Sequence, residues 1–389
     1  MVARSWAGPL GIAYTVTFLT FFDTFAFLPT IGPRAASLGA DPVLVGAIVG
    51  AYSLTNLATN PVAGVLLDRL GRRRLLIAGL AIAIATVLAY PVAATPGQLL
   101  VVRLLHGVGG GIIVPAVFTL VGDLTRAERR ARAMGRTGAA IGLAAIVGPP
   151  VAGALAEGVG FAGVTTTVAA VLGVGLVLAA TRLPDPPRER AAAPTEALEA
   201  VDVGRLARAG VAVFGFTFAL GGLTAFLPFR VEALGGSSAT TGALLGLFAV
   251  VAAGLMLSPV ADQTRTSSAL RPLATGLALV AVALALLTLA PTIALAAVAC
   301  AVFGAGYAYV FPTAASEASA AAPMGRRGRA FGIFHAAFSL GFVVGPPLAG
   351  WVDATAAGPF SIGALVAVTA ALASAALSRL STRERADVD

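Results

Sequence analysis

Three side chains in this sequence combine acid–base chemistry with an expensive location. Asp23 lies in TFFDTFAF (20–27), and Arg103 and His106 lie in RLLHGVGGG (103–111), each inside a long apolar run. Burial favours a neutral carboxylic acid, a nearby guanidinium favours the carboxylate, and an imidazole changes charge near neutral pH. Such a set can take up a proton in one environment and release it in another. Asp23 lies about eight residues, or roughly 12 Å, below the end of its run, His106 at about the same depth, and Arg103 about one turn higher. Two competing readings stay open: Asp23 in a buried structural ion pair, and Arg103 snorkelling to the end of its helix.

Composition says what must position these groups. Hydrophobic residues make up 58% of the 389, charged residues 11%, and the mean hydropathy is +0.92. A water-soluble domain carries about 25% charged residues. A hydrocarbon core of roughly 30 Å needs about 20 apolar residues per helical pass. Twelve stretches qualify, at roughly 10–31, 42–67, 75–93, 98–122, 134–156, 161–182, 208–229, 240–261, 272–290, 293–316, 330–351 and 359–379. A membrane β-barrel would alternate apolar and polar residues, and LLIAGLAIAIATVLAY (75–90) does not. The expected fold is an all-α membrane protein of twelve transmembrane helices.

All 26 basic residues are Arg. With the N-terminus inside, Arg4, the loops 68–74, 123–133, 183–207, 262–271 and 317–329, and the C-terminal tail hold nearly all of them. The main exceptions are Arg34 and Arg230 in outward loops and Arg103 inside a span. Lys and Arg accumulate on the cytoplasmic side of membrane proteins, so both termini are expected in the cytoplasm of a multi-pass plasma (inner) membrane protein. The net charge of +8 is then topological, and nucleic acid is not an expected partner. Cys300 is the single cysteine, His106 and His335 lie on different spans, and no nucleophile–base pair stands out. A disulfide, a metal centre, a cofactor and an enzyme activity are therefore not expected. The first span is too long for a signal-peptide core and is kept as a span.

The chain repeats itself. A shift of 197 pairs 103–153 with 300–350 without a gap, and 17 of the 51 pairs are identical. IVGPPVAGAL (146–155) meets VVGPPLAGWV (343–352), Gly107 meets Gly304, Gly109 meets Gly306 and Pro115 meets Pro312. LGADPVLVG (38–46) meets LGGSSATTG (234–242) at a shift of 196. The charged, Pro-rich stretch 183–207 reads as a solvated cytoplasmic linker, with a short surface helix expected at 195–201. It separates an N-terminal six-helix bundle, 1–182, from a C-terminal one, 208–389. Six is even, so both bundles cross the membrane in the same sense, a parallel repeat about an axis along the bilayer normal. Asp23 aligns near Gly222, Arg103 with Cys300 and His106 with Phe303, so the repeat does not demand these polar groups.

GVLLDRLGRRRLL (64–76) resembles the G-x-L-x-D-R-x-G-R-[RK] signature of the major facilitator superfamily, with Gly64, Leu66, Asp68, Arg69, Gly71, Arg72 and Arg73 all matching. With the twelve spans and the duplication, the resemblance extends over the whole chain. It implies two pseudo-symmetric six-helix bundles that rock about a central cavity. It also implies a cytoplasmic gate that latches the outward-open state. Asp68 would sit at the N-terminal end of the eleventh span near Ala330, and Arg72 or Arg73 would pair with Asp123. Asp262 aligns with Asp68 but lacks the Gly-Arg-Arg that follows, so the second copy of the latch is degenerate. RLLHGVGGG resembles the family's R-x-x-x-G-x-G motif. The fifth span resembles the family's antiporter signature at Gly142, Gly148, Pro149 and Gly153, with Ala152 departing from it. The copy at Gly345, Pro346 and Gly350 keeps a second reading open: both stretches are helix-packing and kink sites that any rocking bundle needs.

The branch most resembled is the twelve-span drug:proton antiporters. The implied function is proton-coupled export of small hydrophobic or amphipathic compounds by a monomer, with Asp23 carrying the proton and Arg103 and His106 tuning it. Tyr52, Asn56 and Asn60 share a helix face. With Phe214, Phe216, Phe218, Phe226, Tyr307, Tyr309 and Phe311 they form a candidate substrate wall suited to apolar or cationic solutes. The alternative for these aromatics is ordinary core or lipid contact. The competing functions are metabolite import by symport or facilitation and a non-transporting receptor. A charged solute would call for a charged pair in the seventh or tenth span, and the sequence shows none; Glu317 and His335 have no assigned role.

Overall fold

The computed structural model describes residues 8–185, 201–258, 269–322, 327–353, 355 and 357–386. The expected helix at 195–201 and the aligned Asp262 lie outside the described residues. The described chain is helical throughout, as unpaired backbone polar groups in hydrocarbon require. α1 (Pro9–Ala26) ends in a turn and is followed by the short α2 (Ile31–Ser37). Then come α3 (Pro42–Leu70), α4 (Arg72–Ala89), α5 (Pro96–Asp123) and α6 (Arg130–Arg182). The second half contributes α7 (Val203–Ala233), α8 (Ser238–Leu257), α9 (Leu270–Leu289), α10 (Ile293–Ala320), α11 (Arg327–Asp353) and α12 (Ser361–Ala386).

Ten helices among the described residues are long and apolar enough to cross a membrane. Two facts connect that number with the twelve expected passes. α6 runs for 53 residues and breaks at Gly160, whose φ is +74°. At 1.5 Å per residue it is about 80 Å long, more than twice the hydrocarbon thickness, so it makes two passes. α4 falls outside the ten because Arg72, Arg73 and Arg74 fill its first turn.

Local chemistry sets the helix starts. Asp41 and Thr95 cap α3 and α5 by accepting from Leu44 N and Gln98 N, and Pro follows each cap. Thr292, the repeat partner of Thr95, caps α10 the same way. Gly71 separates α3 from α4 at φ +92°, a conformation that favours glycine.

The chain forms two compact units, 1–190 with 235–246, and 191–234 with 247–389. In the first, α1 packs along α6, and α5 packs between α3 and α4. Residues 238–246 of α8 belong here too, with Gly242 and Gly246 against Pro149 and Pro150 of α6. In the second, α7 packs along α11 and α12, and α9 against α10 and α12.

Contacts inside the units repeat at the registers of the sequence repeat. A Cβ on Gly107 would strike the Tyr52 carbonyl, and one on Gly304 the Phe248 carbonyl. Gly109 lies against Gly79 and Ala83; Gly306 lies against Gly276 and Val280. Arg34 donates to the carbonyls of Pro91 and Ala93, while Arg230 donates to those of Leu287, Thr288 and Ala290. The two arginines are thus a matched pair that satisfies carbonyls left over at the C-terminal ends of α4 and α9.

Candidate functional site

The first unit holds a buried polar chain across three helices, with a fourth, α3, laying a ring against it. His106 on α5 is fully buried, with Nε2 2.9 Å from Asp23 Oδ2 on α1. Its Nδ1 lies 2.8 Å from the hydroxyl of Tyr90, at the C-terminal end of α4. Arg103, one turn before His106, donates from a terminal nitrogen to the same hydroxyl at 3.3 Å. Its guanidinium also lies over the Tyr52 ring of α3, 4.9 Å from the centroid, a favourable cation–π placement. Asp23, Tyr90 and Arg103 are all buried.

One set of proton positions satisfies the whole chain. Arg103 donates to the Tyr90 oxygen, the Tyr90 hydroxyl donates to His106 Nδ1, and His106 Nε2–H donates to Asp23 Oδ2. The imidazole proton is assigned from this network. Asp23 Oδ1 and Arg103 Nε are buried without a hydrogen-bond partner. Asp23 and Arg103 therefore do not pair directly; the connection runs through His106 and Tyr90.

The sequence missed Tyr90. An aromatic at the end of an apolar span reads as an interfacial anchor, and only the fold brings its hydroxyl between Arg103 and His106. The repeat shows what the same place looks like without polarity. Gly148 lies against the Phe22 carbonyl and Gly345 against the Phe218 carbonyl, so the local shift is 196 and Asp23 matches Ala219 rather than the neighbourhood of Gly222. Tyr90, Arg103 and His106 match Leu287, Cys300 and Phe303, all buried. Tyr52 and His106 form an edge-on ring pair at 5.1 Å, and Phe248 and Phe303 form one at 5.7 Å.

At the other end of the unit, buried Arg72 donates to Asp123 at 2.7 Å and to the Leu67 carbonyl. Arg73 bonds the carbonyls of Ala179 and Ala180 at the C-terminal end of α6. Of the two arginines open to Asp123, Arg72 reaches it. Asp68, largely exposed, lies 4.0 Å from Arg72; Arg69 is exposed, and Gly64 meets no neighbour. Gly148 packs on α1 and Gly153 on Ser238, whereas Gly142 meets nothing within 4 Å. Gly345 packs on Phe218, Pro346 on Gly221, and Gly350 is buried.

The candidate substrate residues differ in access. Tyr52, Asn56 and Asn60 are half-buried, and Asn60 donates to Asn56 at 3.1 Å. Phe214, Tyr307, Tyr309 and Phe311 are half-buried, with Tyr307 stacked on Phe311 at 5.4 Å. Phe216, Phe218 and Phe226 are core residues. His335 is exposed beside Phe331, Phe334 and Phe338.

The structure overturns two expectations. Arg103 is not the only Arg inside a span: α7 begins at Val203, so Arg208 lies within it and is buried. The seventh and tenth spans do hold a charged pair, Arg208 with Glu317, a short contact in which both side chains are about one-tenth exposed. Arg205 adds a second contact at 3.7 Å, and Arg208 Nε is buried without a partner. Arg208 was masked in the sequence by its place next to the Arg-rich linker.

A family model described as Major Facilitator Superfamily matches residues 13–328 and 271–388. This chain belongs to that superfamily. Over 148 residues it is 30% identical to Multidrug resistance protein 1 of Bacillus subtilis (strain 168), covering 38% of each chain. Over 146 residues it is 26% identical to the quinolone resistance protein NorA of Staphylococcus aureus, again 38% of each. These matches span well under two thirds of either relative. The POT family transporter PepTSo shares the fold over 95% of this chain and 97% of its own, at a TM-score of 0.80 and 12% identity. As a superfamily member, the chain is a multi-pass α-helical membrane protein.

Proposed function

We propose that this superfamily member exports small hydrophobic or amphipathic compounds in exchange for protons, by alternating access. The observation that carries the reading is the Asp23–His106–Tyr90–Arg103 chain, buried in one unit and replaced by apolar residues in the other. Isolated ionisable groups inside a membrane are costly and mark ion pathways. A carboxylate–imidazole pair can hold a proton on either partner, and the balance shifts when water reaches it. The multidrug and quinolone resistance names of the relatives support export of organic compounds. The half-buried aromatics Tyr307 and Phe311 suit such a solute. In this reading Arg72–Asp123 belongs to the cytoplasmic gate, the six-helix halves move as the transporting bodies, and both termini face the cytoplasm of a plasma-membrane monomer.

The test uses Asp23→Asn in proteoliposomes with an imposed pH gradient and a resistance-type organic cation as probe. The expected result is loss of gradient-driven efflux with probe binding retained. Efflux equal to wild type would overturn the assignment of Asp23 as proton carrier. A second reading, uptake of a charged metabolite, is favoured by Arg208–Glu317, the charged pair in α7 and α10 that such a solute would need. Accumulation of an anionic or zwitterionic solute inside, lost in Glu317→Gln, would replace the export reading with this one.

A further inference from the structure

We infer that Tyr90 is a positioning residue that sets which nitrogen of His106 carries the proton. The inference rests on the reading of the Asp23–His106 pair as the proton site. His106 offers two nitrogens, and only a proton on Nε2 can be shared with Asp23, 2.9 Å away. Nδ1 faces the Tyr90 oxygen at 2.8 Å. A free hydroxyl could donate to Nδ1 or accept from it. Arg103 removes that freedom: its N–H, 3.3 Å away, occupies a lone pair of the Tyr90 oxygen and turns the hydroxyl proton toward Nδ1. Nδ1 is then an acceptor, and the ring proton resides on Nε2 beside the carboxylate. A charge at Arg103 thereby acts on Asp23 through two hydrogen bonds, without direct contact.

The surroundings contain little else that could set the tautomer. The polar groups around His106 are Asp23 on α1, Tyr52 on α3, Tyr90 at the end of α4 and, through Tyr90, Arg103 on its own helix, while Phe27 meets the ring edge-on at 5.8 Å. From α6 Phe161 meets Tyr90, and the Arg34 guanidinium of α2 lies 5.6 Å from the centroid of that phenyl ring. Tyr52 meets the imidazole edge-on, and its hydroxyl lies 3.4 Å from Thr24. Tyr90 is fully buried, so water does not compete for Nδ1.

The sequence makes the test tractable, because the chain has two histidines. In a His335→Gln background, histidine-labelled protein in nanodiscs shows one imidazole by nitrogen NMR. The expected spectrum at neutral pH is the Nε2–H form with Nδ1 accepting a hydrogen bond. Tyr90→Phe should lower the ratio of Nε2–H to Nδ1–H by about tenfold, the value of one hydrogen bond, and Arg103→Met should lower it likewise. An Nδ1–H form in the wild type, or an unchanged ratio in whichever of the two variants folds, overturns the inference. The outcome is separable from that of Asp23→Asn: unchanged efflux there removes the proton carrier, whatever the tautomer, and an unchanged tautomer here leaves the carrier standing.

Discussion

The two units are the same framework with opposite choices about where to bury charge. In the first, three helices meet at Asp23, Tyr90, Arg103 and His106. In the second, the matching places hold Ala219, Leu287, Cys300 and Phe303. Toward the other end each unit holds a charge pair that the other lacks. Arg208 and Glu317 are paired in the second, where the first has Ile12 and Leu120. Arg72 and Asp123 are paired in the first, where the second has Ala269 and Ala320. The shared features are close approaches and caps: Gly109 with Gly306, Thr95 with Thr292, Arg34 with Arg230. Folding this framework requires what both units keep. What only one keeps has another reason to exist, since a buried charge pair seldom repays its desolvation.

That division can be broken by moving residues between the units. The largest effect is expected for activity: in proton-driven transport assays, Asp23→Asn or His106→Phe should lower the rate by about 100-fold or more, the scale of a lost acid–base group. For stability, His106→Phe alone leaves Asp23 buried without its partner and should cost about 3–5 kcal/mol. Combining it with Asp23→Ala copies the second unit, and thermal unfolding in detergent should return most of that loss. If the double variant is no better than the single one, the apolar copy is not a valid template for the polar site.

Glu317→Gln should likewise cost about 3–5 kcal/mol, because Arg208 keeps its charge in the interior. Glu317→Leu with Arg208→Ile, the residues of the first unit, should recover it. A double variant with wild-type stability but no transport would give this pair a role in the cycle. The smallest effects belong to the shared caps. Arg230→Gln and Arg34→Gln should each cost about 1.5–3 kcal/mol, Arg230 the more, since it serves three carbonyls against two. An effect confined to one of them would mean that the repeat is not structural at this point.

The sequence made the membrane helices, the duplication and the family motif legible, because each rests on local pattern: span length, repeat register and the run Gly64 to Arg73. Within the site it singled out Asp23, Arg103 and His106 by their cost in hydrocarbon. It misjudged their connection. Asp23 and Arg103 looked like a direct pair, and Tyr90 was not singled out, because a tyrosine's hydroxyl carries no sequence signal about its partner. Arg208 was hidden for the converse reason: positive charge near the linker needs no explanation until it is found buried against Glu317.

What the sequence determined alone is the solvent this chain folds in and the rhythm of its helices, since hydrophobic burial follows composition and spacing. The tertiary structure decided which polar atoms meet. A hydrogen bond depends on a few tenths of an ångström between helices distant in the chain, as between residues 23, 90 and 106. Those distances are set by how glycine-faced helices such as α5 settle against their neighbours, a property of the packed unit and not of any segment within it.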